Sequence, residues 1–127
     1  MKSCTVFLLV FVNSLFALAH GQQTRQLERV KTISQSENRT ALIIGNGSYV
    51  DVPLRNPVND ATDMSSVLKS LGFEVLFYTD LDQNGMKKAI REFGSKLRAN
   101  GGVGLFYYAG HGVQVKGINY LIPVRAQ

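Results

Sequence analysis

With 127 residues the chain has room for one small domain. Its single cysteine, Cys4, excludes a disulfide framework and a cysteine-based metal site. The net charge of +5 is dispersed, and Lys87, Lys88, Arg91, Lys96 and Arg98 fall on one predicted helix with Glu92 among them, a solvated face without the dense basic patch and exposed aromatics of a nucleic-acid binder.

Residues 1–21 read as a secretory signal peptide. Lys2 gives the positive start, residues 5–16 are almost wholly apolar yet short for a membrane span, and Ala17-Leu18-Ala19 is a small-x-small cleavage pattern. Cleavage there or after Gly21 removes Cys4, so the mature chain is expected to be periplasmic or secreted, without a thiol and without a stable membrane anchor. A cut after Ala19 leaves an amino-terminal His20, a copper-binding end of little weight. Residues 22–38 are polar without periodicity and read as a flexible leader. The domain is expected over 39–127. Asn38-Arg39-Thr40 and Asn46-Gly47-Ser48 match the glycosylation sequon by chance, the second inside a glycine turn.

A buried strand is predicted over 40–44, stopped by Gly45-Asn46-Gly47. After a loop through Asp51, Pro53, Leu54 and Arg55, Asn56-Pro57 opens a helix, with Asn as cap and Pro at the first helical position. Val58, Ala61, Val67, Leu68 and Leu71 fall on its inner face, and Gly72 ends it. A second strand covers 73–78. Asp80-Leu81-Asp82 leads into a second helix whose inner face is Met86, Ala89, Ile90, Phe93 and Leu97, ended by Asn100-Gly101-Gly102. The third strand, 103–109, reaches His111-Gly112. Residues 113–115 and 118–122 form a hairpin turned by Lys116-Gly117.

Strand-helix-strand-helix-strand predicts right-handed crossovers and a parallel α/β sheet. Only the hairpin follows the third strand, so Leu105, Phe106, Tyr107 and Tyr108 are expected at an open edge. Such an edge invites pairing. The domain therefore reads as unfinished, either cut short or completed by a strand of another chain.

His111 stands at the carboxyl end of the third strand, where α/β sheets gather their catalytic groups. Imidazole moves protons near neutral pH, and the flanking Gly110 and Gly112 let backbone approach a substrate. Such a base needs a nucleophile to activate. Ser48, after the neighbouring strand, lacks the strained elbow and the supporting acid of a serine triad. Asp60, in the first turn of the first helix, is favoured as an anion by the helix dipole and lies at the same sheet edge. The Gly45 turn lacks the third glycine of a dinucleotide fingerprint, because Val50 stands in its place.

Residues 39–46, Leu54-Arg55-Asn56-Pro57-Val58-Asn59-Asp60-Ala61, Leu71-Gly72-Phe73-Glu74-Val75, Phe106-Tyr107-Tyr108-Ala109-Gly110-His111-Gly112 and Asn119-Tyr120-Leu121-Ile122-Pro123-Val124 together resemble the large-subunit part of the caspase family, nearest its metacaspase-like, bacterial branch. The resemblance implies a three-layer caspase-like (flavodoxin-like), mostly parallel sheet and a cysteine-type endopeptidase with a histidine–cysteine dyad. It assigns His111 as the base, the Gly112 N–H as an oxyanion donor, and Asp60 as the acid lining the pocket for an Arg or Lys before the scissile bond. Arg55 lies near the place where caspases bind aspartate. In the family the nucleophilic cysteine ends the next strand after the hairpin, and this sequence stops before it, so the chain is expected to be inactive alone. No cofactor is visible, and calcium dependence is left open. The partner implied is a polypeptide substrate or a strand from another chain. Two other readings are a silent caspase-like module pairing through its exposed third strand, and a nucleotide binder using the Gly45 turn.

Overall fold

The computed structural model describes residues 4–11 and 37–125. In chain order these form β1 (Cys4–Phe11), β2 (Arg39–Gly45), α1 (Pro57–Ser70), β3 (Glu74–Thr79), α2 (Gln83–Asn100), β4 (Val103–Val115) and β5 (Ile118–Leu121). The sheet order is β1-β4-β2-β3, with β5 also paired to β4. β2 runs parallel to both β3 and β4, while β1 and β5 run antiparallel to β4. Among the described residues no helix is long and apolar enough to cross a membrane.

The continuous apolar run of β2 reflects burial on both faces, as in parallel sheets covered by helices on each side. Ala41, Ile43, Tyr107 and Ala109 pack with Ala61 and Leu68 of α1 on one face. Leu42, Ile44 and Tyr108 pack with Met86, Ala89 and Phe93 of α2 on the other. This is the expected three-layer α/β arrangement. The helix faces are rotated slightly from the predicted ones. α1 buries Pro57, Ala61, Ser65 and Leu68 and leaves Val67 and Leu71 half exposed, while Ile90 of α2 is also half exposed. The stripe at i, i+4, i+8 and i+11 includes the small polar Ser65.

The predicted ends divide. Asp82 caps α2, its carboxylate accepting from Gly85 N at 2.7 Å. Gly72 follows α1 with φ +80°. Asn56 makes no side-chain cap, because its backbone is already helical (φ −101°, ψ −22°) and its amide is not turned toward the orphan N–H groups.

The third parallel strand does not stop at Ala109. Its parallel ladder with β2 ends there, opposite Gly45, but residues 112–115 continue into the antiparallel pairing with β5. Lys116 and Gly117 make the turn with φ +50° and +80°, the doubly positive backbone of tight hairpins. His111 thus lies within a strand, between two stretches of pairing.

Nor is the outer edge of β4 open. Cys4–Phe11 lies along it from Cys4 opposite His111 to Phe11 opposite Gly104. β4 is therefore central, and the expectation of an exposed third strand is corrected. The apolar run that reads as part of a signal peptide also has the composition of an edge-filling strand. The cleavage pattern, His20 and the leader up to residue 36 lie outside the described residues. Its last position is tied down: Val103 N donates to Asn38 O at 2.8 Å, and Asn38 Nδ2 donates to Asn100 O at 2.7 Å.

Candidate active site

His111 is held from four sides. Its N–H donates to Tyr49 Oη at 2.9 Å. Its carbonyl accepts from Ile122 N at 3.0 Å and lies 3.0 Å from Tyr108 Oη. The Tyr49 ring packs on the imidazole with centroids 4.4 Å apart, tilted by 57°. Nε2 meets the carbonyl of Val52 at 2.8 Å.

A carbonyl oxygen only accepts, so the Nε2 partner assigns the proton of the neutral imidazole to Nε2 and the lone pair to Nδ1. Nδ1 is buried and has no hydrogen-bond partner among the described residues. A buried polar atom left unbonded is costly and asks for an explanation. Here the arrangement is that of a base with its basic nitrogen waiting, its orientation fixed from behind by a backbone carbonyl.

The support beneath His111 is a pair of tyrosines. Tyr49 and Tyr108 hydroxyls lie 2.9 Å apart, and both reach the Ile122 carbonyl, at 2.9 and 2.8 Å. Burial pushes both phenols above their ordinary value, Tyr108 far above it, with the bond from Tyr49 adding to the shift at Tyr108. Both therefore remain protonated and act as fixed struts. Gly110 makes room for them, since a Cβ there would sit 2.5 Å from Tyr108 Oη and 2.6 Å from Tyr49 Oη. Gly110 thus serves the tyrosine pair, in addition to any approach of substrate.

The loop after β2 is fixed from the β3 end. Asn46 is fully buried; its Oδ1 accepts from Leu81 N at 2.9 Å, and its Nδ2 donates to Leu81 O at 3.3 Å. That role is structural and agrees with reading its sequon as a chance match. The Asp80 carboxylate accepts from Gly47 N, Ser48 N and Ser48 Oγ, each at 2.8 Å. Burial raises the Asp80 carboxyl, but these three bonds outweigh it and hold it below its ordinary value. The amides of the glycine turn that a phosphate would take are therefore occupied by an internal anion, which removes the basis of the nucleotide reading. Ser48 Oγ donates to this carboxylate and has no imidazole partner among the described residues.

Asp60 lies in the first turn of α1 and Arg55 just before it, in the chain segment that follows Val52, whose carbonyl meets His111. Both are exposed, and neither makes an ion pair among the described residues. Gly112 is paired with Leu121 across the hairpin. Among the described residues no three His, Cys, Asp or Glu side chains gather as a metal site. A depression of about 250 Å³ lined by Glu37, Arg39, Glu74 and Asn100 lies at the opposite, amino-terminal edge of the sheet, away from this chemistry.

Sequence reasoning finds His111 but not its partners Val52 and Tyr49. A backbone carbonyl carries no residue signature. Tyr49 does leave one, an aromatic in a glycine-rich polar loop, whose hydroxyl must find a partner if buried.

Fold and site define an α/β domain with a tautomer-fixed histidine near the carboxyl end of the parallel part of a central strand. The model of the caspase domain matches residues 38–127, and the chain belongs to that family, with the cysteine-peptidase type of fold. It is 37% identical over 92 residues to the human (Homo sapiens) mucosa-associated lymphoid tissue lymphoma translocation protein 1, and 38% identical over 92 residues to the mouse (Mus musculus) homolog. Each alignment covers 72% of this chain and 11% of the relative, so the chain spans a small part of either protein.

Proposed function

We propose that the chain carries the base-bearing half of a cysteine-type endopeptidase centre of the metacaspase-like kind, cleaving after Arg or Lys. The observation that carries this is the His111 imidazole, tied through Nε2 to Val52 O with Nδ1 buried and unbonded. In the reaction Nδ1 accepts the proton of a cysteine thiol, the thiolate sulfur bonds to the substrate carbonyl carbon, and the imidazolium returns the proton to the leaving amine as the peptide C–N bond breaks. Water then hydrolyses the acyl-enzyme. The Gly112 N–H is assigned to the developing oxyanion, where one fixed donor is worth about 3 kcal/mol. Asp60 is assigned to a cationic substrate side chain, and Arg55 stays outside the main contact.

The nucleophile is assigned to a strand that this sequence does not carry, and the chain alone is expected to be inactive. Cys4 bears on this directly, because its register position is opposite His111. The test is twofold. Arg-ended fluorogenic peptides are expected to bind the full chain but not to be cleaved. Asp60→Asn is expected to weaken their binding about 2–5-fold, the scale of an exposed ion pair, and to leave Asp-ended peptides unaffected. Equal binding of Arg- and Asp-ended peptides contradicts the pocket assignment. Turnover abolished by Cys4→Ser contradicts the inactivity and makes Cys4 the nucleophile.

A further inference from the structure

Asp80 takes no part in the chemistry assigned to His111, yet it anchors the loop that holds the imidazole. It is the first residue of the connection between β3 and α2. Its backbone has φ +52°, and among the described residues one other non-glycine, Lys116, shares that left-handed region. Aspartate tolerates this conformation better than most side chains, but it is uncommon. Its N–H donates to Gly45 O at 3.0 Å, which sets the connection against the end of β2. Its carboxylate accepts from Gly47 N and Ser48 N through Oδ1 and from Ser48 Oγ through Oδ2, each at 2.8 Å. Bonds to an ionised acceptor are about twice as strong as neutral ones.

Gly47 is the neck of this loop. Its carbonyl accepts from Tyr49 N and from Leu54 N, both at 2.9 Å, and the second bond closes residues 47–54 on themselves. A Cβ on Gly47 would stand 2.9 Å from Leu54 O, so the neck is tight. Val52 and Tyr49 lie inside the closure. They supply the carbonyl on His111 Nε2 and the hydroxyl on His111 N.

We propose that Asp80 is a positioning residue for His111: its carboxylate holds the neck of the 47–54 loop, and so keeps Val52 O and Tyr49 Oη on the imidazole. It acts through the loop, from a strand end separated from β4 by β2. The proposal rests on the peptidase reading for the role of His111 as base, and it adds what keeps that base in one tautomer. The alternative is an anchor for the loop alone. Such an anchor lowers stability when removed but leaves the ring of the folded molecule unchanged. A positioning residue changes the ring itself, because the carbonyl that fixes the Nε2 proton leaves with the loop.

The experiment compares the full chain with its Asp80→Gly, Asp80→Asn and Ser48→Ala variants. Glycine keeps the left-handed backbone and removes the carboxylate. Asparagine tolerates the same backbone and keeps an oxygen for the two amides, without the charge. Ser48→Ala removes the Oγ bond and leaves both amide bonds. Hydrogen exchange reads the Gly47 and Ser48 amides, with the buried β2 amides as the check that each variant is folded. Nitrogen-15 spectra of the neutral ring read the tautomer and the Nε2 proton. In Asp80→Gly the two loop amides are expected to exchange about 10–100-fold faster, the scale of a lost charge-assisted bond. Its ring nitrogens are expected to move toward tautomer-averaged shifts, with the Nε2 proton lost to exchange with water. Asp80→Asn is expected to fall between wild type and Asp80→Gly in both readouts, and Ser48→Ala to keep the wild-type ring. Loop amides that stay protected without the carboxylate overturn the clamp. Loop amides that exchange freely beside an unchanged ring overturn the link to His111. If Asp80→Gly does not fold, Asp80→Asn carries the same two contradictions. The wild-type spectrum tests the base, and the difference between variants tests Asp80, so the two failures are told apart.

Discussion

Gly110→Ala is expected to destabilise the fold by about 3 kcal/mol, combining the cost of overpacking with that of a broken buried hydrogen bond. In a domain of this size that lowers Tm by roughly 10–20 °C. The added methyl would lie 2.5 Å from Tyr108 Oη and 2.6 Å from Tyr49 Oη, and the two hydroxyls cannot both retreat while they share the Ile122 carbonyl. Thermal and urea unfolding check the size of the effect. A double-mutant cycle checks its cause. Tyr49→Phe removes one of the two clashing oxygens, so in the Gly110→Ala background it is expected to cost less than in the wild type, or even to recover stability. Additive losses would show that the crowding is not at the tyrosine pair.

Gly45→Ala is the second large effect, and it acts through the backbone. A Cβ at this position would meet Ala61 Cβ and Pro57 O, both at 2.7 Å. No side-chain rotamer relieves a contact with a carbonyl oxygen, so α1 must move away from the carboxyl end of β2. The expected loss is about 2–3 kcal/mol. Because α1 carries Asp60, the same substitution is expected to weaken binding of Arg-ended peptides while leaving the imidazole–Val52 bond in place. Ala61→Gly is expected to restore only part of the stability, since the Pro57 contact remains. Full restoration would mean that the helix backbone is not the obstacle.

The fold was largely readable from residue pattern because its strongest signals are local. The unbroken apolar run of β2, the Asp82 cap, the Gly72 ending and the Lys116-Gly117 turn each depend on a few neighbouring residues. The misread features depend on partners distant in sequence. Val67 and Leu71 have suitable helical spacing, but the observed inner stripe of α1 runs through Ser65 instead, and that of α2 runs through Met86, Ala89 and Phe93 rather than Ile90. Asn56 has the right residue type for a cap, but its own backbone angles defeat it. Cys4–Phe11 illustrates the deeper ambiguity, since an apolar uncharged run has the same composition whether it serves as a signal peptide or fills a sheet edge. At the site, His111 was legible because imidazole is rare and flanked by glycines. Val52 was not, because its contribution is a main-chain oxygen that any residue supplies. Asp60 and Arg55 are exposed at and before the amino end of α1, where residue type alone does not separate a substrate contact from a solvated charge.

Everything proposed for catalysis depends on which imidazole nitrogen is free. Long-range ¹H–¹⁵N correlation of the labelled full chain, recorded with the ring neutral, reads this directly. His111 is expected as the Nε2–H form, with Nε2 carrying the proton toward the Val52 carbonyl and Nδ1 showing the shift of an unprotonated nitrogen. A spectrum with the proton on Nδ1 would contradict the account, because the nitrogen aimed at the incoming thiol would then have no lone pair to offer.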